Sequence, residues 1–288
     1  MHIVDLKPDG TRIDIGNGFY DYPLSLDLKI TNYCKTGCPW CHESSGPLGK
    51  HSDPGLLLEK LKGLPRNTEI AIGGGNPLSH PKLGEILRGL SDFGYITNMT
   101  IRDKDITKSL HIPSEVKGLG ISVTPGISPK KYLDFISSRE NLVAHMILGI
   151  NTIEDYIEVK KYFPRILWLG FKTWGRNKDS KLPDINELRR KIIQDLYYGR
   201  SGILAFDNLG INQLNLKSAF LKNEWEKYYL GPEFTSSMYV DAALLSLAQL
   251  KKGNQIMKKC KKFLPEVNTL LNLYKNTCSP DPIKVSVD

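Results

Sequence analysis

The sequence of 288 residues has little that would place it in a membrane or in an oxidising compartment. No stretch approaches the ~18 consecutive apolar residues that a membrane-spanning helix requires. Residues 1–7 mix acidic and basic side chains and contain no apolar segment of signal-peptide length. The chain has only 5 cysteines, an odd number that leaves one over in any disulfide scheme. We therefore expect a cytoplasmic protein with free thiols and no membrane association.

Internal repeats and low-complexity linkers are absent as well. Instead, strand-like apolar segments alternate with helix-like segments between residues 24 and 198. Six such strands are predicted, over residues 24–31, 68–72, 96–102, 119–123, 142–150 and 166–171. Strands that alternate with helices form a parallel sheet with right-handed crossovers. The alternation alone is compatible with a full or partial barrel and equally with an open, doubly wound sheet.

Three of the cysteines lie within eight residues, directly after the first predicted strand. They are Cys34, Cys38 and Cys41, with the spacing C-x3-C-x2-C. Three thiolates on one loop can hold three irons of a cubic iron–sulfur cluster and leave the fourth iron open, whereas electron carriers usually saturate the cluster with a fourth cysteine. A structural zinc site needs four ligands, usually two pairs. The chain has no second C-x-x-C, and His42 is adjacent to Cys41, so zinc is the weaker alternative.

This spacing, placed after a strand, resembles the radical S-adenosylmethionine superfamily over about residues 24–176. The resemblance implies an α/β fold, a partial (βα)6 TIM-like barrel over residues 24–200. Residues 1–23 would then be an N-terminal extension. Residues 201–288 would be a C-terminal α+β extension that could cap the substrate.

The resemblance also implies a reaction and its cofactors. Cys34, Cys38 and Cys41 would hold a [4Fe-4S] cluster, and S-adenosylmethionine would chelate the fourth iron. Reductive cleavage of the sulfonium would give methionine and a 5'-deoxyadenosyl radical, which abstracts hydrogen from a substrate. A one-electron donor such as flavodoxin or ferredoxin is implied as a partner.

Further residues are candidates for binding S-adenosylmethionine. The glycine turn, Trp40 and Ser122 resemble positions that the family uses, whereas Asn151, Lys172 and Arg176 are candidates because polar and cationic side chains stand there at strand ends. The glycine turn would receive the amino group through its backbone, although an asparagine stands where the family often has glutamate. An aromatic residue would lie near the adenine, two polar residues near the ribose or the carboxylate, and two cations near a carboxylate or an anionic substrate. The glycine turn is Gly73, Gly74, Gly75 and Asn76, and the aromatic residue is Trp40. The two polar residues are Ser122 and Asn151, and the two cations are Lys172 and Arg176. Trp40 could instead shield the cluster from water. The others also have a simpler interpretation as a turn, a helix cap or a solvated charge.

The remaining polar residues carry weaker signals. His145 is interpreted as a core histidine with satisfied hydrogen bonds rather than a residue of the barrel interior. Two more strands are predicted in residues 202–208 and 237–242. Asp207, Tyr239 and Asp241 are candidate substrate contacts there, although turns and core packing explain them better. Cys260 and Cys278 cannot hold an auxiliary cluster by themselves.

The substrate is not specified by the sequence. Modification of a peptide or protein side chain is one hypothesis, and modification of a nucleotide or nucleic acid is a second. A third is a non-catalytic zinc or iron–sulfur protein that binds a partner or nucleic acid. The formal charge of +8, with lysines clustered in residues 251–262, slightly favours nucleic acid. A solvated helix face is the preferred explanation of that cluster.

Overall fold

The computed structural model describes residues 3–6, 12–15, 23–199, 202–229 and 237–243. Strands β1 (Ile3–Leu6) and β2 (Arg12–Ile15) pair antiparallel with each other. The other eight strands form one parallel sheet in the order β10-β3-β4-β5-β6-β7-β8-β9. Their bounds are Ser25–Thr31 (β3), Glu69–Gly74 (β4), Ile96–Arg102 (β5), Val116–Ser122 (β6), Leu142–Ile147 (β7), Arg165–Leu169 (β8), Ile203–Phe206 (β9) and Ser237–Asp241 (β10).

Helices connect most of these strands. They are α1 (Pro54–Leu61), α2 (Leu83–Asp92), α3 (Leu133–Ser137), α4 (Ile153–Val159), α5 (Asn186–Tyr197), α6 (Asn208–Gln213) and α7 (Lys222–Tyr228). The sheet curls into a half-barrel, which confirms the predicted α/β, partial TIM-like barrel. All six predicted strands are present. The two predicted in the C-terminal third join the same sheet, one at each edge, as β9 and β10. The domain boundaries at residues 23 and 200 stay predictions.

The two faces of the sheet follow from the alternation of side chains along each strand. In β3, Leu26, Leu28 and Ile30 are buried in the apolar core beneath the helices. The intervening residues, among them Asp27 and Lys29, therefore face the interior of the half-barrel. A buried apolar face on the helix side and a polar interior face are what this fold needs for a solvated active site.

Local signals in the sequence explain where several elements begin. The Asp53 side chain accepts a hydrogen bond from the Leu56 backbone N–H at 2.8 Å, and Pro54 occupies the first turn of α1, as predicted. Asn186 begins α5, also as predicted. Other ends differ by a few residues: β4 continues to Gly74, and β7 already ends at Ile147. In the part of the chain that the structure describes, no helix is long and apolar enough to cross a membrane.

Candidate active site

The three clustered cysteines lie in the cysteine loop, residues 32–51, which follows the carboxyl end of β3. The loop closes on itself through backbone hydrogen bonds. The Asn32 N–H donates to the Lys50 carbonyl at 2.8 Å, and the Cys34 N–H donates to the Gly46 carbonyl at 3.0 Å. The Ser45 hydroxyl donates to the Asn32 side-chain oxygen at 2.8 Å. The loop is thus a folded unit at the mouth of the half-barrel, where active sites of such sheets lie.

The three thiols are all free, and they differ in exposure. Cys34 is buried, whereas Cys38 and Cys41 are half-buried. Burial raises the pKa of the Cys38 thiol, the Arg102 guanidinium opposes that rise, and the nearby Cys34 and Cys41 thiols add to it. The Cys34 and Cys41 thiols are therefore near enough to act electrostatically on Cys38.

The donor set fits an iron–sulfur cluster better than a single metal ion. Among the described residues, no three or more His, Cys, Asp or Glu side chains are gathered to hold one ion. Tetrahedral zinc needs its ligands to converge on one point. In a cubic cluster each thiolate binds a different iron, so the sulfurs need not meet. An all-thiolate set on one loop matches that requirement in ligand type. Cys260 and Cys278 lie outside the described residues.

The glycine turn, residues 73–76 at the carboxyl end of β4, packs directly on the segment that leads into the cysteine loop. The Gly75 N–H donates to the Thr31 carbonyl at 2.7 Å, and the Asn76 N–H donates to the Tyr33 carbonyl at 2.8 Å. A Cβ atom on Gly75 would lie 2.2 Å from the Tyr33 oxygen, and one on Gly74 would lie 2.3 Å from the Thr31 oxygen. These two glycines are therefore needed for contact between two backbones.

Gly73, by contrast, has open space where a Cβ would project. The Asn76 side chain is engaged within the protein. Its oxygen accepts from the Leu78 N–H at 3.1 Å, and its nitrogen donates to Asp105 at 3.2 Å. Only Gly73, of the residues in this turn, has room beside its α-carbon for a ligand.

Arg102, at the carboxyl end of β5, connects this turn to the cysteine loop. Its guanidinium forms a bidentate pair with Asp105, at 3.2 and 2.6 Å, and also donates to the Thr36 hydroxyl. Asp105 is the carboxylate that receives the Asn76 amide. The cation thus lies beside the loop segment between Cys34 and Cys38.

A second arginine binds the cysteine loop from the segment after β8. The backbone N–H of Arg176 donates to the Cys41 carbonyl at 3.0 Å. Its side chain donates to the Cys38 carbonyl at 2.8 Å and to the Ser45 carbonyl at 2.8 Å. The structure therefore places the predicted anion-binding guanidinium against the backbone of the loop.

The predicted cation Lys172 approaches the cysteine loop through Trp174, and the predicted aromatic residue Trp40 lies within that loop. The Lys172 ammonium is 5.8 Å from the ring centroid of Trp174, which is 50% exposed. The Trp174 ring also meets the His42 imidazole edge-on, with centroids 6.4 Å apart. Trp40 is half-buried in the loop. Their contacts to S-adenosylmethionine stay predictions.

A largely buried ion cluster supports the other side of the cysteine loop. Sequence reasoning missed two of its members, Lys29 and Glu43, whereas Tyr239 and Asp241 were candidate substrate contacts and are engaged within the protein. Lys29 is 7% exposed, and its ammonium lies 2.5 Å from Glu43 and 3.0 Å from Asp241. The Tyr239 hydroxyl donates to the other Glu43 oxygen at 2.8 Å. We call Lys29, Glu43, Tyr239 and Asp241 the ion cluster. It joins β3, the cysteine loop and β10.

The charges in the ion cluster stabilise each other. Burial by itself would raise the pKa of Glu43, but hydrogen bonds from His42, Lys29 and Tyr239 lower it to about 2. Burial would likewise lower the pKa of Lys29, yet Glu43 and Asp241 hold it above its usual value. The alternation of β3 was the signal that could have placed Lys29 in the interior, because its two apolar neighbours both face the core.

Ser122 and Asn151 lie at the ends of neighbouring strands. Asn151 is buried; its oxygen accepts from the Ile147 N–H at 2.8 Å, and its nitrogen donates to the Val123 carbonyl at 3.3 Å. It therefore ties the ends of β6 and β7 together, as a turn residue does. Ser122 is half-buried and stands in register with Arg102 and His145. The ribose contacts of both residues stay predictions.

His145 faces the barrel interior. Its imidazole covers Gly120, where an added Cβ would lie 2.5 Å from a ring carbon and 2.9 Å from the Thr100 hydroxyl. Burial lowers its pKa to about 4, so it is neutral at pH 7. Within the described residues the ring has no hydrogen-bond partner, contrary to the expectation of a satisfied core histidine.

Asp207 has a structural role. One of its carboxylate oxygens accepts from the Gly170 N–H at 2.8 Å and from the Gly210 N–H at 2.6 Å. It caps α6 and fixes the end of β8, which agrees with the preferred interpretation as a turn residue.

The chain is similar to a known family and to a curated protein. The family model of the Radical SAM superfamily matches residues 28–168. A curated relative, 7,8-dihydro-6-hydroxymethylpterin dimethyltransferase from Methanocaldococcus jannaschii, is 26% identical over 130 residues, which is 42% of this chain and 25% of that protein. The match thus spans about a quarter of the length of the curated relative.

Two solved structures are similar in fold. Streptococcus suis SuiB bound to the precursor peptide SuiA has a TM-score of 0.54 with 16% identity. The match covers 91% of this chain and 68% of the SuiB chain. Streptococcus suis SuiB bound to S-adenosylmethionine has a TM-score of 0.52 with 16% identity, and the match covers 87% of this chain and 68% of the SuiB chain. At this identity the likeness shows a shared fold.

Proposed function

Since the chain belongs to the radical SAM superfamily through residues 28–168, we propose that it reductively cleaves S-adenosylmethionine at a [4Fe-4S] cluster and uses the resulting 5'-deoxyadenosyl radical to abstract hydrogen from a substrate. The observation that carries this proposal is a set of three free thiols on one closed loop at the carboxyl end of the half-barrel. The cluster, once bound, supplies the electron for the cleavage. The protein's own residues hold and orient the reactants.

Cys34, Cys38 and Cys41 would be the three protein ligands of the cluster. Arg102 places a positive charge beside Cys38 and opposes the rise that burial causes in the thiol pKa. Because the thiolate is the form that ligates iron, this charge favours cluster binding.

S-adenosylmethionine would lie along the carboxyl ends of the neighbouring strands. Gly73 leaves room beside the backbone for its amino acid part. Ser122 faces the interior of the half-barrel, in register with Arg102, and Trp40 lies within the loop. Lys172 lies next to Trp174, whose ring meets His42 of the cysteine loop. We propose that these side chains, together with the ends of the strands that Asn151 joins, position the cofactor.

Our preferred substrate class is a peptide or protein side chain. SuiB, which shares the fold, was solved with a precursor peptide. In this chain, the carboxylates of Asp27, Glu43 and Asp241 all act electrostatically on Tyr239. The ammonium groups at this place are those of Lys29, between Glu43 and Asp241, and of Lys50, which lines the same pocket as Asp241. That part of the mouth is therefore acidic although the whole chain is basic, and it disfavours a polyphosphate.

The electron would come from outside the chain, from a flavodoxin- or ferredoxin-like donor. The free thiols of the cysteine loop suit a reducing compartment, so the proposal includes a cytoplasmic location.

The reaction class is tested without knowing the substrate. Protein reconstituted anaerobically with iron and sulfide is mixed with dithionite and S-adenosylmethionine, and 5'-deoxyadenosine is quantified by mass spectrometry. We expect formation of 5'-deoxyadenosine by the wild type and by Cys260→Ala, and none by Cys38→Ala, which lacks a cluster ligand. An active Cys38→Ala protein, or a wild type with zinc and no sulfide, would contradict the proposal and favour a non-catalytic metal protein.

The substrate class is tested by binding of the holoprotein to a single-stranded RNA and a DNA duplex at increasing salt. Phosphate contacts give a steep fall of affinity with salt. We expect weak binding to both. Tight binding with a steep salt dependence would favour the nucleic-acid alternative over a peptide.

A further inference from the structure

We propose that Arg176 is a positioning residue that holds the cysteine loop in its cluster-binding conformation. The inference rests on the proposed function, since it concerns how the chain retains the [4Fe-4S] cluster. From the sequence, this arginine was expected to bind an anion. The geometry instead points to a clamp that acts on the backbone of the chelating cysteines.

The clamp consists of three hydrogen bonds to three carbonyls of one loop. They reach Cys38 and Cys41, two of the proposed ligands, and Ser45, where the loop begins to fold back. Two of the bonds come from different nitrogens of the guanidinium, each at 2.8 Å. Fixing the carbonyls of Cys38 and Cys41 restricts the backbone at the α-carbons that carry their thiols.

The segment that carries Arg176 is itself rigidly placed. Gly175 has a positive φ of 65°, and a Cβ there would lie 2.3 Å from the His42 carbonyl oxygen and 2.6 Å from that of Cys41. Only glycine allows this approach. The buried Asn177 side chain donates to the Lys172 carbonyl at 2.8 Å, which closes the segment on itself. The segment that donates these hydrogen bonds is therefore held in place by its own contacts and by its close approach to the cysteine loop.

The physical role follows from preorganisation. A free loop with three thiols loses conformational entropy when it closes around a cluster. A loop held at two ligand carbonyls has lost part of that entropy already, and outer contacts of this kind typically change metal affinity 10–100-fold. The planar fork of arginine can bridge two carbonyls, which the single ammonium of lysine cannot do in the same geometry.

The test compares Arg176→Gln and Arg176→Lys with the wild type, all reconstituted anaerobically. The rate of iron loss to excess EDTA is followed by the decay of the cluster absorbance, without S-adenosylmethionine. Both variants lose the paired side-chain hydrogen bonds to the Cys38 and Ser45 carbonyls and keep the backbone bond to Cys41. We expect iron loss to be at least about 10-fold faster in each. The lysine variant keeps the charge and so keeps the midpoint potential of the cluster, whereas the glutamine variant shifts that potential to a more negative value.

The matched control is Arg190→Gln, an exposed arginine on α5, which should lose iron at the wild-type rate. Thermal unfolding of the apoproteins checks folding. If Arg176→Gln does not fold, Arg176→Lys decides alone. Iron loss within 2-fold of wild type in a folded Arg176 variant would overturn this inference and leave the proposed function intact. A wild type that assembles no cluster would instead overturn the proposed function.

Discussion

The cysteine loop is held on two sides by different chemistry. On the β8 side, Arg176 binds neutral backbone carbonyls at the solvent-exposed mouth. On the β3–β10 side, the ion cluster places a buried ammonium between two carboxylates. The first support acts on the shape of the loop alone, while the second also joins an edge strand to the sheet. The two sides should therefore respond differently to mutation: one in cluster retention, the other in stability of the fold.

Removal of the buried cation should have the largest effect. Lys29→Met would leave Glu43 and Asp241 without the ammonium that lies between them. Breaking a buried ion pair by removing one partner costs about 3–5 kcal/mol. We expect this loss in the free energy of unfolding of the apoprotein, measured by urea denaturation at pH 7.

The control for Lys29→Met is Lys161→Met. Lys161 pairs with Glu158 at 2.7 Å, but it is 57% exposed. Exposed pairs contribute about 0–1 kcal/mol, so this variant should be close to wild type. Equal effects of the two substitutions would show that the ion cluster does not stabilise the fold.

His145 also faces the interior of the half-barrel, but unlike Lys29 it has no ionic partner in the part of the chain that the structure describes. The pKa of His145 is lowered from 6.5 to about 4 by burial. Between these pH values the unfolded chain binds a proton that the folded protein does not, so stability falls on acidification from pH 6.5 to 4. The loss is about 3 kcal/mol at most.

This pH dependence is checked by unfolding wild type and His145→Gln at several pH values. The variant should lose less free energy of unfolding between pH 6.5 and pH 4. Above pH 7 the difference in stability between the two proteins should no longer change with pH. Parallel curves over the whole range would mean that the imidazole is protonated as easily in the fold as in the unfolded chain.

The smallest effect is expected at the hydroxyl of the ion cluster. Tyr239→Phe removes the hydrogen bond to Glu43 and leaves the ion pairs in place. Because Tyr239 is partly exposed, we expect a loss of about 1 kcal/mol. The double variant with Lys29→Met should show a non-additive loss, since both residues act on one carboxylate. Strictly additive losses in the free energy of unfolding would show that Tyr239 and Lys29 do not interact through Glu43.

Much of the fold could be predicted because each strand and helix carries its own periodicity. The capped start of α1 at Asp53 and Pro54, and all six central strands, come from such local signals. The places of β9 and β10 at the sheet edges could not, because pairing over long sequence distances leaves no local pattern. The end of β7 was set too late, because the apolar residues after Ile147 continue into a turn that Asn151 stabilises.

In the site, the sequence shows which residue types lie at strand ends but not what they contact. Cys34, Cys38 and Cys41 were predicted as cluster ligands from their spacing and their position after the first strand. Arg176 lies 138 positions from Cys38, and Tyr239 lies 196 positions from Glu43, so neither contact has a sequence signature. Lys29 was overlooked because it stands within an apolar strand, although its alternation with buried neighbours places it in the interior.

The central claim is that the cysteine loop holds an iron–sulfur cluster with one open iron. Its most direct test is the iron, zinc and acid-labile sulfide content of the protein purified without oxygen. The account predicts about four irons and four sulfides per chain, and loss of both in Cys38→Ala. One equivalent of zinc with no labile sulfide would contradict it.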